Sequence, residues 1–156
     1  MVGKLLIYIA FIASVISIIG FFLAHNGKEN YLKLGRIFFH ITAIGIITAS
    51  LYLLYNILTH NFQLSYVWEQ SSTDLQLPLL VSTFWAGQEG SFMLWGLMTA
   101  VIGVFLLNYV SKGERMEPQV MSMFTLVLSF ITLILILKSP FHYLWESFPG
   151  EVDYGF

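Results

Sequence analysis

The residues best placed to do chemistry lie in Trp85–Trp95, WAGQEGSFMLW. Glu89 sits between Gly87 and Gly90, with Trp85 and Trp95 outside them, where a long apolar run begins. A carboxylate at membrane depth is costly unless it is paired or wet, and such groups are usually functional. Glycines let a backbone or a ligand come close. Tryptophan offers a flat aromatic face suited to a membrane interface or to a planar ligand. Trp85, Glu89 and Trp95 are therefore the candidate site. Two readings of Glu89 stay open: a structural carboxylate accepting backbone N–H groups of the 87–91 turn, or a contact for a bound partner.

The remaining polar residues carry less. His40 falls about one turn into an apolar run and His25 lies in a basic link. His60 and His142 flank two polar segments and would form a metal or haem pair only if the fold joined them. Glu69 and Asp74 read as solvated loop acids, with Asp74 capping a turn ahead of Pro78. No nucleophile–base arrangement, phosphate-binding glycine loop or metal-ligand spacing occurs. There is no cysteine, which excludes disulfides, thiol relays and a CxxCH haem attachment within the chain itself.

The elements that must position these groups are membrane helices. Only 10% of the 156 residues are charged and 57% are hydrophobic, against about a quarter charged in soluble domains. Runs 5–24, 37–58, 92–110 and 120–137 contain no Lys, Arg, Asp or Glu. Each is close to the roughly 20 residues a helix needs to cross a bilayer. Inside lipid only a helix satisfies its own backbone, so the expectation is an all-α polytopic integral membrane protein with four transmembrane helices. The first run is too long and lacks a convincing cleavage site for a signal peptide, so it reads as an uncleaved span. Small residues at Gly45, Ala49, Gly96, Ala100 and Gly103 allow close helix approach. The whole chain, 1–156, reads as a single membrane domain.

Orientation follows from the basic residues. Links 25–36 and 111–119 hold Lys28, Lys33, Arg36, Lys112 and Arg115, five of the seven in the chain, whereas the 59–91 loop holds none. The short links are thus expected in the cytoplasm, and the N-terminus, the loop and the 138–156 tail outside. With a net charge of -2, nucleic acid is not an expected partner; membrane lipid is.

Within the outer loop, Phe62 to Glu69 alternates weakly at period two and suggests an extended start. Pro78 then opens LLVSTFWAG, of strand or single-turn-helix length, which is too short to span and should lie at, or re-enter, the outer face. A backbone break is expected at Gly87 and Gly90. In the tail, Phe141, Tyr143, Trp145 and Phe148 look like an interfacial aromatic belt.

The elements Tyr66-Val67, Glu69 and Ser71, followed by Trp85, Glu89-Gly90-Ser91 and Leu94-Trp95, resemble the N-terminal part of the CcmF-type cytochrome c haem lyase family, within the CcmF/CcsA haem-handling superfamily. Lys138 to Phe141 (KSPF), with the aromatics and acids that follow, is similar to the outer segment after that family's fourth span. The family's Trp-rich haem-binding segment, of WGxxWxWD type, is absent, as are its flanking outer histidines and its transmembrane haem-ligating histidines. The expectation is therefore a part of a longer protein, or a split-gene product.

The resemblance implies haem as cofactor, with ligands outside this chain, in a bacterial inner membrane. It implies apocytochrome c and other cytochrome c maturation proteins as partners. The family presents haem on the outer face to CxxCH cysteines, where thioether bonds form to the haem vinyl groups. This chain would supply scaffold and part of the outer surface, with Trp85, Glu89 and Trp95 near the haem site or structural, and would be inactive alone. An alternative is a small structural or assembly subunit beside a separately encoded haem-handling protein. A proton or ion pathway through Glu89 fits less well, because the spans contain no ionisable residue except His40.

Overall fold

The structure is a computed structural model and describes residues 2–28, 30–113 and 116–142. Among these residues it is helical, without strands. Four long helices, α1 (Val2–His25), α2 (Asn30–Leu58), α5 (Gln88–Val110) and α6 (Glu117–Leu137), are each long and apolar enough to cross a membrane. Two short helices, α3 (Ser65–Gln70) and α4 (Leu77–Ser82), and one 3-10 turn (Thr83–Trp85) lie between α2 and α5. The protein is thus an all-α, polytopic membrane protein. The helices begin before the apolar runs: α2 starts at Asn30 rather than 37, and α5 at Gln88 rather than 92. Their polar first turns continue the helix out of the hydrocarbon. Pro118 stands in the first turn of α6, where its missing N–H is no loss.

The spans are apolar on nearly every face, so hydrophobicity does not choose the core. Size does. In α1 the buried positions are mostly small, including Ala10, Ala13, Ser14, Ser17, Gly20 and Ala24, whereas Leu5, Ile9, Ile12, Ile19 and Phe22 face outward. Lipid tails are as apolar as leucine, so helices associate through close packing rather than by expelling water. A Cβ on Gly20 would lie 2.8 Å from the Gly35 nitrogen, and the Ser17 hydroxyl donates to the Gly35 carbonyl at 2.8 Å. The α1–α2 hairpin is therefore a backbone-to-backbone contact. At Gly103 a Cβ would meet Phe39 and Phe124, at 2.5 and 2.6 Å, so that glycine seats two aromatic rings from α2 and α6.

The packing order around the bundle is α1, α2, α5, α6, closing on α1. Arg36 on α2 and Glu117 on α6 belong to helices that share no main packing face. They are joined across the diagonal by two hydrogen bonds, Nε to Oε1 and Nη2 to Oε2, each 2.6 Å. The two short links lie at this end of the bundle. The α3–α4 region closes the other.

The loop departs from the expected extended start. Residues Ser65, Tyr66 and Val67 are consecutive and all buried, which a period-two strand cannot achieve and a helical turn can. Ser72, not Asp74, organises the next turn: its hydroxyl accepts the Asp74 N–H at 3.3 Å. The segment at Pro78 is the six-residue helix α4 followed by the 3-10 turn, so of strand and short helix, the two forms its length allowed, it takes helix. Phe141 is not part of an interfacial belt. It is 1% exposed, packs 5.7 Å from the Tyr52 ring and fills the space left by Gly3. The Ser65 N–H and hydroxyl both donate to the His142 carbonyl, at 2.8 and 3.0 Å, fastening the loop to the end of α6. Tyr143, Trp145, Phe148 and Arg115 lie outside the described residues.

Two predictions follow from the helix ends. Glu117 is 4% exposed and Arg36 37%. Arg36→Ala strands a buried carboxylate, whereas Glu117→Ala leaves an arginine that can reach water. Arg36→Ala should cost about 3 kcal/mol and Glu117→Ala clearly less, read as unfolding in detergent micelles. At the end of α2, the Asn61 N–H bonds the Asn56 carbonyl (3.0 Å) and the His60 N–H the Ile57 carbonyl (3.2 Å), with His60 at φ 55. This is a Schellman cap with histidine where glycine is preferred. His60→Gly should raise stability by about 1 kcal/mol in the same assay.

Candidate functional site

The candidate site is organised by Tyr66. Leu64 and Val67 anchor α3 in a cluster with Leu53 and Ile57 of α2, Leu80, Phe84 and Met93, and this points the Tyr66 ring beneath the start of α5. Its hydroxyl proton is shared between the carbonyls of Thr83 (2.7 Å) and Phe84 (2.9 Å), and its oxygen accepts the Gly87 N–H at 3.1 Å. One side chain thus serves both the end of the 3-10 turn and the entry to α5, and the Thr83 carbonyl also takes the Ala86 N–H at 3.3 Å. Ser91 completes the turn: its hydroxyl lies 2.9 Å from both the Trp85 and Gly87 carbonyls.

The glycines follow from this geometry. Gly87 is the N-cap of α5 in an extended conformation, and a Cβ there would stand 2.7 Å from the Tyr66 ring. At Gly90 a Cβ would overlap the Phe84 carbonyl oxygen and the Tyr66 hydroxyl. Gly90 is helical rather than part of the backbone break; the break lies at Gly87 alone. Close approach, not unusual backbone angles, requires glycine at 90.

Burial pushes the Tyr66 phenol up to about 12; the Gly87 N–H opposes this and the negative charge of Glu89 adds to it. Glu69, on the same short helix, has its carboxyl raised by desolvation and then by the charge of Glu89. Glu89 therefore faces both. It stands in the first turn of α5, where the helix dipole favours a negative charge. Among the described residues no hydrogen bond reaches its carboxylate, so the turn is held by Tyr66 and Ser91 rather than by Glu89.

Trp85 is 48% and Trp95 59% exposed. The structure does not gather the three candidate residues into one cluster. Glu89 and Trp95 are six residues apart on α5, which sets them about 120° apart around the helix. Trp95 packs edge-on against Phe92, ring centres 5.5 Å apart. Tyr66 and Ser91, the residues that hold the site, carried no assigned role in the sequence. The available signal was a tyrosine ahead of a glycine-broken apolar segment that needed a buried donor.

Nor do the described histidines converge. His40 lies ten residues into α2, deeper than expected, on an exposed face beside Phe39. His60 stacks on Phe62, 5.9 Å between ring centres, and His142 contributes its backbone carbonyl to Ser65. Among the described residues no three His, Asp or Glu side chains come together as a metal site.

The Tyr66 geometry gives a graded series. Gly90→Ala should cost about 3 kcal/mol, because backbone must move. Tyr66→Phe should cost about 1–3 kcal/mol for the buried groups left unpaired. The phenol is raised from 10.0 to about 12, so the unfolded state ionises first and stability falls as pH rises through that interval. Tyr66→Phe should flatten that fall, measured by unfolding in detergent at successive pH values.

No protein-family model matches the chain. It is 31% identical over 97 residues, 61% of its length, to the cytochrome c-type biogenesis protein ccl1 of Rhodobacter capsulatus. It is 32% identical over 107 residues to the probable cytochrome c-type biogenesis protein NrfE of Escherichia coli. Against the Escherichia coli cytochrome c-type biogenesis protein CcmF the match is 24% over 144 residues, 90% of this chain. The chain spans 15% of ccl1, 19% of NrfE and 22% of that CcmF. Among solved structures, the cytochrome c haem lyase CcmF superposes with a TM-score of 0.82 at 25% identity, over 93% of this chain and 25% of that one. In sequence and in fold, the chain is similar to a part of the longer CcmF-type cytochrome c biogenesis proteins.

Proposed function

We propose that this chain is the scaffold part of a membrane haem lyase for cytochrome c maturation. It acts as one membrane unit and builds part of the outer surface next to which haem is presented to apocytochrome c. The observation that carries this reading is the Tyr66-held turn. The residues that resemble the family, Tyr66 and the 85–95 segment, are the ones that lock together. Their locking leaves Trp85 half-exposed and Glu89 partly exposed, outside the hydrogen bonds that hold the turn.

In this reading the loop and both termini face the outside of a bacterial inner membrane and the basic links face the cytoplasm. Haem ligands come from elsewhere in the lyase, because the imidazoles of this chain are scattered. Trp85 and Glu89 border the presentation site. Trp95, on another face and nearer mid-helix, meets lipid or a neighbouring helix. The partners are membrane lipid, apocytochrome c and the other maturation proteins. The same scatter of imidazoles also favours a second reading, in which the chain is an assembly subunit packed beside a separately encoded haem-handling protein.

The test is covalent haem in c-type cytochromes, stained in cells carrying Trp85→Ala or Glu89→Gln. Both side chains lie outside the Tyr66 hydrogen bonds, so the chain should accumulate normally. The scaffold reading expects a several-fold loss of haem-bearing cytochrome. Normal cytochrome levels, with loss only when the chain is deleted, would move the assembly-subunit reading ahead.

A further inference from the structure

We infer that the groove beneath Trp85 is a seat for one phospholipid acyl chain. The groove, about 210 Å³, is lined by Leu51 and Leu54 of α2, Phe84 and Trp85 of the 3-10 turn, and Leu94 and Leu97 of α5. Its lining surface is entirely apolar. The one polar residue at its wall, Ser50, is satisfied internally, its hydroxyl donating to the Ile46 carbonyl at 2.8 Å. The Thr83 and Phe84 carbonyls behind it are taken by Tyr66. Nothing in the groove is left to hydrogen-bond a ligand, so it accepts hydrocarbon and disfavours propionates, peptide groups or sugars.

Depth identifies the occupant. The α2 residues lining the groove run from Ile47 to Leu54, and α2 ends at Leu58. At 1.5 Å per residue the groove lies roughly 6–16 Å below that helix end. That is within one leaflet of a hydrocarbon core about 30 Å thick. Leu51 faces outward, so the groove is continuous with the lipid-facing surface of the bundle. Its roof carries no charge, since residues 75–88 contain no Lys, Arg, Asp or Glu, and Leu77, Leu79 and Trp85 turn apolar surface outward. An indole at that rim is the side chain that best bridges chain and headgroup levels. The volume is below the roughly 300–1,000 Å³ of pockets for drug-sized ligands, which argues against a whole porphyrin. The seat would fix the connector, and with it the exposed face of Trp85, against the bilayer.

The test reconstitutes the protein, with any companion subunits that co-purify, in phosphatidylcholine vesicles brominated at mid-chain. Tryptophan emission is compared among the wild type, Trp85→Phe and Trp95→Phe, so that differences isolate each indole. Trp95, the more exposed, reports contact with bulk lipid. A seated chain makes Trp85 quenched more strongly than Trp95, and Leu54→Phe, which fills the groove, brings Trp85 quenching down to or below that of Trp95. Weaker quenching of Trp85 than of Trp95 in the wild type would overturn the proposal and point to a covering protein helix. Unchanged quenching in folded Leu54→Phe would also overturn it, because the indole would then be meeting bulk lipid only. If Leu54→Phe does not fold, Leu97→Phe fills the same groove from α5, and the wild-type comparison stands without either.

Discussion

The loop end of this protein depends on one hydroxyl. Where the 3-10 turn hands over to α5, two carbonyls and an N–H converge on a buried space, and only part of that demand is met by backbone, through the Ala86 N–H on the Thr83 carbonyl. Tyrosine answers this because its hydroxyl donates and accepts at once, on a ring long enough to reach from a neighbouring helix. Once Tyr66 is there, much of the following motif is determined. Gly87 is small because the ring lies against it, Gly90 because the hydroxyl and the Phe84 carbonyl occupy its Cβ position, and Ser91 brings a hydroxyl to the Trp85 carbonyl while its N–H meets the Gly87 carbonyl. Packing accounts for these residues and does not account for Trp85 or Glu89. The residues left over by the structural argument are those available for function.

The other end is closed by different physics. Arg36 and Glu117 bridge two helices that lie diagonally in the bundle, at the level where the chain leaves the hydrocarbon. A charged pair tolerates that position because arginine can still reach water, and it sets the register of α2 against α6. Between the two ends, small residues bring backbones together and large ones turn toward lipid. The bundle is thus held by contact distance along its length and by polar bonds only at its margins. This is the economical arrangement where each unpaired polar group in hydrocarbon costs several kcal/mol.

Fold class and span number were legible because length and apolarity suffice in a bilayer. The helix starts at Asn30 and Gln88 were not, since polar first turns look like loop in composition. Which face of each helix is buried was only partly legible. Gly45, Gly96 and Gly103 stand out in the sequence as contact points, whereas the backbone contact of Gly20 with Gly35 is hidden among equally apolar neighbours. The loop misled because aromatic and polar residues alternate by chance from Phe62 to Glu69. Tertiary burial of Ser65, Tyr66 and Val67 overrides that pattern. Phe141 misled for the opposite reason: an aromatic near a span end usually marks the interface, and here it fills the space over Gly3. The site itself was legible as a place but not as a mechanism, because the Tyr66 hydrogen bonds link residues some twenty positions apart.

The choice of tyrosine has a consequence for a surface that meets changing pH. A turn held by a carboxylate or an imidazole would loosen as that group titrates. The Tyr66 phenol, pushed up to about 12, stays neutral through any pH such a surface meets. Glu69, whose carboxyl is raised by desolvation, sits beside the turn and holds none of its bonds. Acidification can therefore change the charge on α3 without touching the bonds that Tyr66 makes to the 83–87 backbone. Separating the bonding group from the titrating one keeps the backbone around Trp85 independent of the charge beside it.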